Sequence, residues 1–374
     1  MRREQPILDY LYRVVSGTEQ GPLAGAVRLL LTGLEGLYRL LLGLNRALTR
    51  SRSLPVPVIS VGNLVAGGTG KTPTVVWLVR WLRAGGRNPA ILTRGYGGVA
   101  QKEGLVFCSD ELSNLQPGLT GDEPYLLAKL LPGTRVSVGR DRLRMGQAAL
   151  QCDPTIDCFV LDDGFQYWKL QRDYDIVVMD ASNPFGNGRL IPRGILREPL
   201  SGLSRAQAVF LTRLERVDQV ELERLTDRLI RENPELQVGL VEPLPPEIVK
   251  LSEWSDEPSP AAAVSFLEGR RCGAVTAIGN PQQFFDSLTG LGAELAFTKV
   301  YPDHHSWTPE EMESLIAELR ETAITEIVVT AKDGVKLERF TELFQRAEIE
   351  LLLLTLEFSV RNPQILSQID ARIQ

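Results

Sequence analysis

Residues 55–82 read PVPVISVGNLVAGGTGKTPTVVWLVRWL. The apolar, β-branched run up to Val61 predicts a buried strand, and the glycine-rich turn after it opens a helix. A strand, a tight turn and a helix in that order are the parts of a phosphate-binding loop. Gly67, Gly68 and Gly70 would let backbone N–H groups close on phosphate oxygens, Lys71 would reach the β- and γ-phosphates, and Thr72 would ligate magnesium. Thr69 lies between the glycines and completes a nucleotide-binding set over 67–72. The usual pattern G-x-x-x-x-G-K-[ST] has Val65 at its first glycine, so the assignment rests on the strand before and the helix after. The competing reading of the hexamer GGTGKT is a tight turn that binds nothing.

Downstream, the runs PAILTR, TRVSV, IDCFVL, YDIVVM and AQAVFLT alternate with helical stretches. Such alternation predicts a P-loop NTPase-type parallel sheet flanked by helices, assigned to residues 53–240. The strand IDCFVLDD ends in Asp162 and Asp163. Parallel strands deliver their carboxyl ends to one rim, where these acids could hold magnesium directly or through water. Aspartates are also common as caps. Between these segments, Asp122 of GDEPYLLA is either a helix cap or a carboxylate aimed into a cleft, and Arg140, Arg142 and Arg144 of VGRDRLR are either a solvated face or a source of charge for phosphates. Residues 183–199, NPFGNGRLIPRGILREP, form a long loop after YDIVVMD, and a loop at that rim is a candidate for substrate binding through Asn183 and its charged members Arg189, Arg193, Arg197 and Glu198.

Residues 241–268 read as a linker, with Pro243, Pro245, Pro246, Pro258 and Pro260 in the stretch 241–262. Strands resume at CGAVTAIG, LAFTKVY, TEIVVTA and ELLLLTL, which predicts a second, smaller α/β domain over 269–374. The only histidines, His304 and His305, are adjacent in YPDHHSWT, ahead of a helix whose cap is Thr308 or Ser306. Adjacent loop histidines are poor geometry for one zinc ion. They are either cap-region residues or a means of polarising a general base on domain closure.

The 374 residues carry a net charge of −6, which argues against a nucleic-acid partner. Residues 1–52 hold eight arginines against four acids, so this segment stands at +4 and the rest at −10. Within it, Leu23, Val27, Leu30, Leu34, Leu37, Leu41, Leu44 and Leu48 recur at steps of three and four, punctuated by Arg28, Arg39, Arg46 and Arg50. This amphipathic helix could lie in a membrane interface or pack on the domain core. No run is long and apolar enough for a spanning helix, and nothing at the start reads as a secretory signal. The scattered cysteines, Cys108, Cys152, Cys158 and Cys272, lack metal spacing and read as reduced core residues of a cytosolic protein.

Taken in order, VPVISVGNLVAGGTGKTP, ILTRGYGG, GDEPYLLA, VGRDR, VLDDGFQ, NPFGNGRLIPRGILREP, AIGNPQQFF, YPDHH and VVTAKD resemble the tetraacyldisaccharide 4′-kinases of lipid A biosynthesis, over roughly residues 22–340. The resemblance implies a kinase at the cytosolic face of the inner membrane, and the chain is expected to act as a monomer. It would use ATP and magnesium to phosphorylate the 4′-hydroxyl of an acylated glucosamine disaccharide 1-phosphate. It also implies a catalytic carboxylate at Asp122 with His304 as partner, metal-associated acids at Asp162, Asp163 and Glu198, phosphate-facing arginines at Arg142 and Arg197, and an N-terminal helix docked on the bilayer. The competing class is a P-loop NTPase switch or metallochaperone-type GTPase. Guanine recognition would want [NT]KxD, whereas TAKD at 330–333 sets lysine and aspartate side by side.

Overall fold

The structure, a computed structural model, describes residues 10–11, 13–15, 17–254, 266–303, 305–355 and 357–373. The chain forms two compact units, one made of Met1–Thr74, Cys158–Glu242 and Val360–Gln374, the other of Val75–Asp157 and Pro243–Ser359. Sequence inspection divides a chain into consecutive stretches; compactness divides this one otherwise, grouping 75–157 with 243–359.

In the first unit the strands follow the order Phe358–Arg361, Gln237–Pro243, Ala208–Thr212, Tyr174–Asp180, Val58–Gly62, Cys158–Asp162. The last five pair in parallel. All residues of Val58–Gly62, Cys158–Asp162, Tyr174–Asp180 and Ala208–Thr212 are buried, as parallel strands covered on both faces require. The helix Gln219–Glu232 sets Leu225 and Leu229 into a core with Val177, Met179, Val209 and Leu211. The expected α/β architecture, with a mostly parallel sheet covered by helices and a further sheet beyond it, is the one observed.

Gly62 ends the strand that leads into the glycine loop. A Cβ there would stand 2.5 Å from Phe165 Cβ and 2.7 Å from the Phe165 backbone nitrogen. Neither neighbour is the free end of a flexible side chain, so Gly62→Ala should lower unfolding stability by about 1–3 kcal/mol, the usual cost of overpacking. A urea titration checks this, and an unchanged midpoint would show that the strand end gives way freely.

The N-terminal helix runs from Pro22 to Leu48 and starts on a proline, whose missing N–H costs nothing in the first turn. Its leucines stay largely outside: Leu23, Leu29, Leu30 and Leu48 are 68%, 76%, 64% and 81% exposed. Among the described residues no helix is long and apolar enough to cross a membrane.

In the second unit, Pro89–Thr93 pairs in parallel with Arg135–Val138, which takes Leu105–Cys108 antiparallel on its other side. A five-stranded sheet follows the order Glu294–Val300, Arg271–Thr276, Glu326–Thr330, Glu350–Thr355, Glu247–Lys250. Its first four strands are parallel and the last is antiparallel. Glu247–Lys250 lies within the stretch expected as a linker. Its edge position suits a segment bounded by prolines, and residues 255–265 of that linker lie outside the described residues. Trp307, Leu315, Leu319, Val329, Phe344 and Leu353 belong to the core of this unit. Thr308, not Ser306, caps the helix Pro309–Glu321 through a capping box with Glu311.

Candidate active site

The glycine loop leaves the strand Val58–Gly62 at Asn63, which is fully buried. The Asn63 side-chain nitrogen donates to Gly67 O at 3.3 Å and to Thr69 Oγ1 at 3.2 Å, tying the loop across its base. Two more donors come from the end of the strand Ala208–Thr212. Thr212 Oγ1 donates to Thr69 O at 3.0 Å, and Arg213 Nη2 donates to Gly68 O at 2.9 Å. Three consecutive carbonyls are thus turned toward the protein. In a trans peptide the N–H opposes the C=O, so the N–H groups of Gly68, Thr69 and Gly70 face the other way. Gly67 and Gly70 have φ of +117° and +92°, a backbone that glycine adopts without strain. A Cβ built on Gly67 or Gly68 meets nothing within 4 Å, so the loop borders an open cradle. Thr69 contributes only backbone, because its side chain is 3% exposed and engaged by Asn63.

The acids come from the neighbouring strand. Val61 is in register with Asp162, so the tip of Cys158–Asp162 stands beside the root of the loop. Asp162 is 4% exposed. Asp163 turns out of the strand in a left-handed conformation, φ +50°. Its carboxylate lies 3.4 Å from Lys71 Nζ and accepts two bonds from Arg197 Nη1 at 2.8 and 3.0 Å. Burial alone would raise the Asp163 pKa; the Lys71 ammonium and the Arg197 guanidinium outweigh it and hold the carboxyl below its ordinary value.

Arg197 belongs to the 183–199 loop, which is held from two sides. Its own N–H donates to Leu64 O at 2.7 Å. From the N-terminal helix, Tyr38 Oη donates to Arg197 O at 2.7 Å, and Glu35, 7% exposed, accepts from Leu190 N at 2.9 Å. Glu198 is 2% exposed, and Arg205 takes both its oxygens at 2.7 and 2.8 Å. Gln166 adds a third bond to Glu198 at 2.7 Å and donates to Asn63 O at 2.8 Å. Asn183 is exposed in a turn where its N–H donates to Asp180 O at 3.2 Å.

The donors near the cradle that could serve a metal are the Thr72 hydroxyl and the Asp162 and Asp163 carboxylates, all oxygen, which is the chemistry magnesium selects. Among the described residues no three acids, histidines or cysteines converge as a ready-made metal cage.

In the second unit Asp122 is the first residue of the helix Asp122–Leu130, after Gly121 at the cap position. It is therefore not the cap. Its Oδ2 lies 3.0 Å from Lys336 Nζ. Both line a cavity of about 460 Å³, along with Tyr96, Tyr125, Ser306 and Arg339. Arg142 opens the helix Arg142–Cys152 and is buried, with Nη1 donating to Arg140 O at 3.1 Å. Arg144 Nη2 donates to Glu103 O at 2.9 Å. His304 lies outside the described residues. His305 Nε2 meets Glu311 at 2.9 Å, and its ring stacks on Tyr301 at 5.0 Å.

Sequence reasoning passed over Asn63, Arg213, Arg205, Gln166 and Lys336. Arg213 could have been found, since it follows the strand AVFLT and so reaches the same rim as Asp162. Arg205 and Lys336 carry no local signal, because their partners are set by the fold.

The sequence model of the family described as Tetraacyldisaccharide-1-P 4'-kinase matches residues 27–374. A protein of Anaeromyxobacter dehalogenans (strain 2CP-C) named tetraacyldisaccharide 4'-kinase is 39% identical over 331 residues, covering 85% of this chain and 82% of that protein. One of the same name from Halothermothrix orenii is 34% identical over 375 residues, covering 96% of each. Among solved structures, the "apo" form of LpxK from Aquifex aeolicus in complex with ATP superposes with a TM-score of 0.71 at 29% identity, covering 93% of this chain and 99% of that one.

Proposed function

The chain belongs to the tetraacyldisaccharide-1-P 4'-kinase family, and from that premise we propose how its residues divide the transfer of the ATP γ-phosphoryl group to the 4′-hydroxyl of an acylated glucosamine disaccharide 1-phosphate. The observation that carries this reading is the loop whose carbonyls at 67–69 are bonded inward, leaving successive N–H groups to face anionic oxygens. Those amides and the Lys71 ammonium hold the β- and γ-phosphates. Arg197, already beside Lys71 through their shared partner Asp163, adds charge where the γ-phosphoryl group loosens. Thr72, Asp162 and Asp163 would hold magnesium, which when bound neutralises charge on the phosphate oxygens. Glu198, whose oxygens are engaged by Arg205 and Gln166, orients the loop instead of binding the metal directly.

Asp122 accepts the proton of the 4′-hydroxyl, with His304 as its partner. The new bond joins that oxygen to the γ-phosphorus, the bond from phosphorus to the β,γ-bridging oxygen breaks, and ADP departs. Arg142 binds phosphate on the acceptor or the donor, and Asn183 stands at the edge of the substrate loop. The enzyme works as a monomer on the cytosolic face of the inner membrane. The decisive assay incubates the protein with labelled ATP, magnesium and the acylated disaccharide 1-phosphate in detergent. Label should pass into the lipid fraction; ATP consumption that proceeds equally well without lipid would mean a hydrolytic switch.

The N-terminal helix supplies the membrane contact, supported by leucines left outside and arginines to meet anionic headgroups. Leu30, Leu37 and Leu41 are 64%, 53% and 54% exposed. Replacing all three with Gln should cut partitioning onto anionic vesicles by roughly 100-fold or more, since full burial of a leucine is worth about 1.5–3 kcal/mol and a little over half of each side chain is left to bury. Flotation with liposomes measures it, and undiminished binding would remove the helix from this role.

A further inference from the structure

We propose that Lys336 is a positioning residue for the phosphoryl transfer: it holds the Asp122 carboxylate in one orientation at the cavity wall. The proposal rests on the reading of Asp122 as the group that takes the acceptor's proton. Lysine is almost never buried without a partner, and Lys336 is 7% exposed. Its ammonium meets Asp122 Oδ2 at 3.0 Å, donates to His305 O at 3.0 Å, and lies 5.4 Å from the centre of the Trp307 ring. The other charged groups lining the cavity are engaged elsewhere. Glu338 pairs with Lys129, and Arg339 donates to Trp307 O. Lys129 in turn lies 4.8 Å from the centre of the Trp254 ring.

Lys336 is itself held rigidly. It sits on the helix Ala331–Leu337, capped by Thr330. Asp333 in its first turn is fully buried and accepts from Thr276 Oγ1 at 2.7 Å, Thr330 Oγ1 at 2.8 Å and Ala277 N at 3.1 Å. The frame therefore runs from two central strands of the five-stranded sheet, through Asp333, to the ammonium that fixes Asp122. A carboxylate that orients an attacking hydroxyl must be unprotonated and singly oriented. The charge-assisted hydrogen bond from the adjacent ammonium selects the rotamer. In phosphoryl transfer with a loose transition state, orientation of the nucleophile counts for more than the strength of the base, so a cation beside that base is affordable.

The test is a kinetic cycle on the full chain with Lys336→Met, Asp122→Asn and the double variant, each checked for folding by circular dichroism and thermal melting. Lys336→Met should lower kcat by roughly 10- to 100-fold, part of the loss expected for the base itself. The KM for ATP should stay unchanged, so that the loss appears in kcat alone. Lys336→Arg, which keeps the charge, should restore most of kcat. In the Asp122→Asn background, Lys336→Met should cost almost nothing further, since residues acting as one unit are not additive. Should Lys336→Met fail to fold, Lys336→Gln, which can still donate to the His305 carbonyl without the charge, carries the same expectations. Wild-type kcat in Lys336→Met, or an equal loss with and without Asp122, overturns the proposal. An active Asp122→Asn enzyme instead overturns the reading of Asp122 on which it stands.

Discussion

Lys71→Ala should lower kcat on the order of 10³-fold, because it removes a cation aimed at the charge that develops on the transferring phosphoryl group. The neighbourhood sharpens this expectation. Lys71 and Arg197 share the Asp163 carboxylate, and together they hold it ionised. Without Lys71, Arg197 is left as the single cation paired with Asp163 and is bound to it more tightly, so it is less available to phosphate. The loss should therefore exceed that of one isolated charge, and Arg197→Ala alone should cost less than Lys71→Ala. Steady-state transfer of label from ATP into lipid measures both; a Lys71→Ala enzyme with near-normal turnover would refute the phosphate cradle.

Asp122→Ala should cut kcat by roughly 10²–10⁴, the range for losing a positioned general base, with little change in the KM for ATP. It should also cost more folding stability than Lys336→Met. Removing the carboxylate leaves an ammonium 7% exposed against the His305 carbonyl and the Trp307 ring, and a buried charge that has lost its counter-ion is costly. Removing the ammonium leaves a carboxylate at the first turn of a helix, where the peptide dipoles favour it. Thermal melts of the two variants at neutral pH compare these terms, and turnover of Asp122→Ala near the wild-type rate would remove the residue from the chemistry.

The part of the fold that was legible in the sequence is the part written locally. The strand Val58–Gly62, the glycine loop and the helix that follows could be read because each needs a distinct residue type over a few positions. The acids at 162 and 163 could be read because a strand's end is visible as the point where an apolar run stops. The leucine stripe of 22–48 showed its period but not its surroundings; exposure depends on what other elements leave uncovered. Glu35 shows the limit clearly. In the sequence it is one acid in an oily helix, and in the fold it is buried against Leu190 N, a donor supplied by a remote loop. Asp122 and Lys336 were likewise unpairable from sequence, because nothing local relates two helices so far apart in the chain. The grouping of 75–157 with 243–359 had no linear signature either, since composition changes mark the ends of stretches and not which stretches come together.

The pairing of Ser60 with Leu161 has a bearing on how the protein comes into being. A ribosome releases the glycine loop well before it releases the strand bearing Asp162, and the donors at Thr212 and Arg213 that turn the loop's carbonyls emerge later still. A half-made chain therefore carries the loop's residues without the groups that turn its carbonyls, and the bonds that shape the loop are complete only after Thr212 and Arg213 have been added.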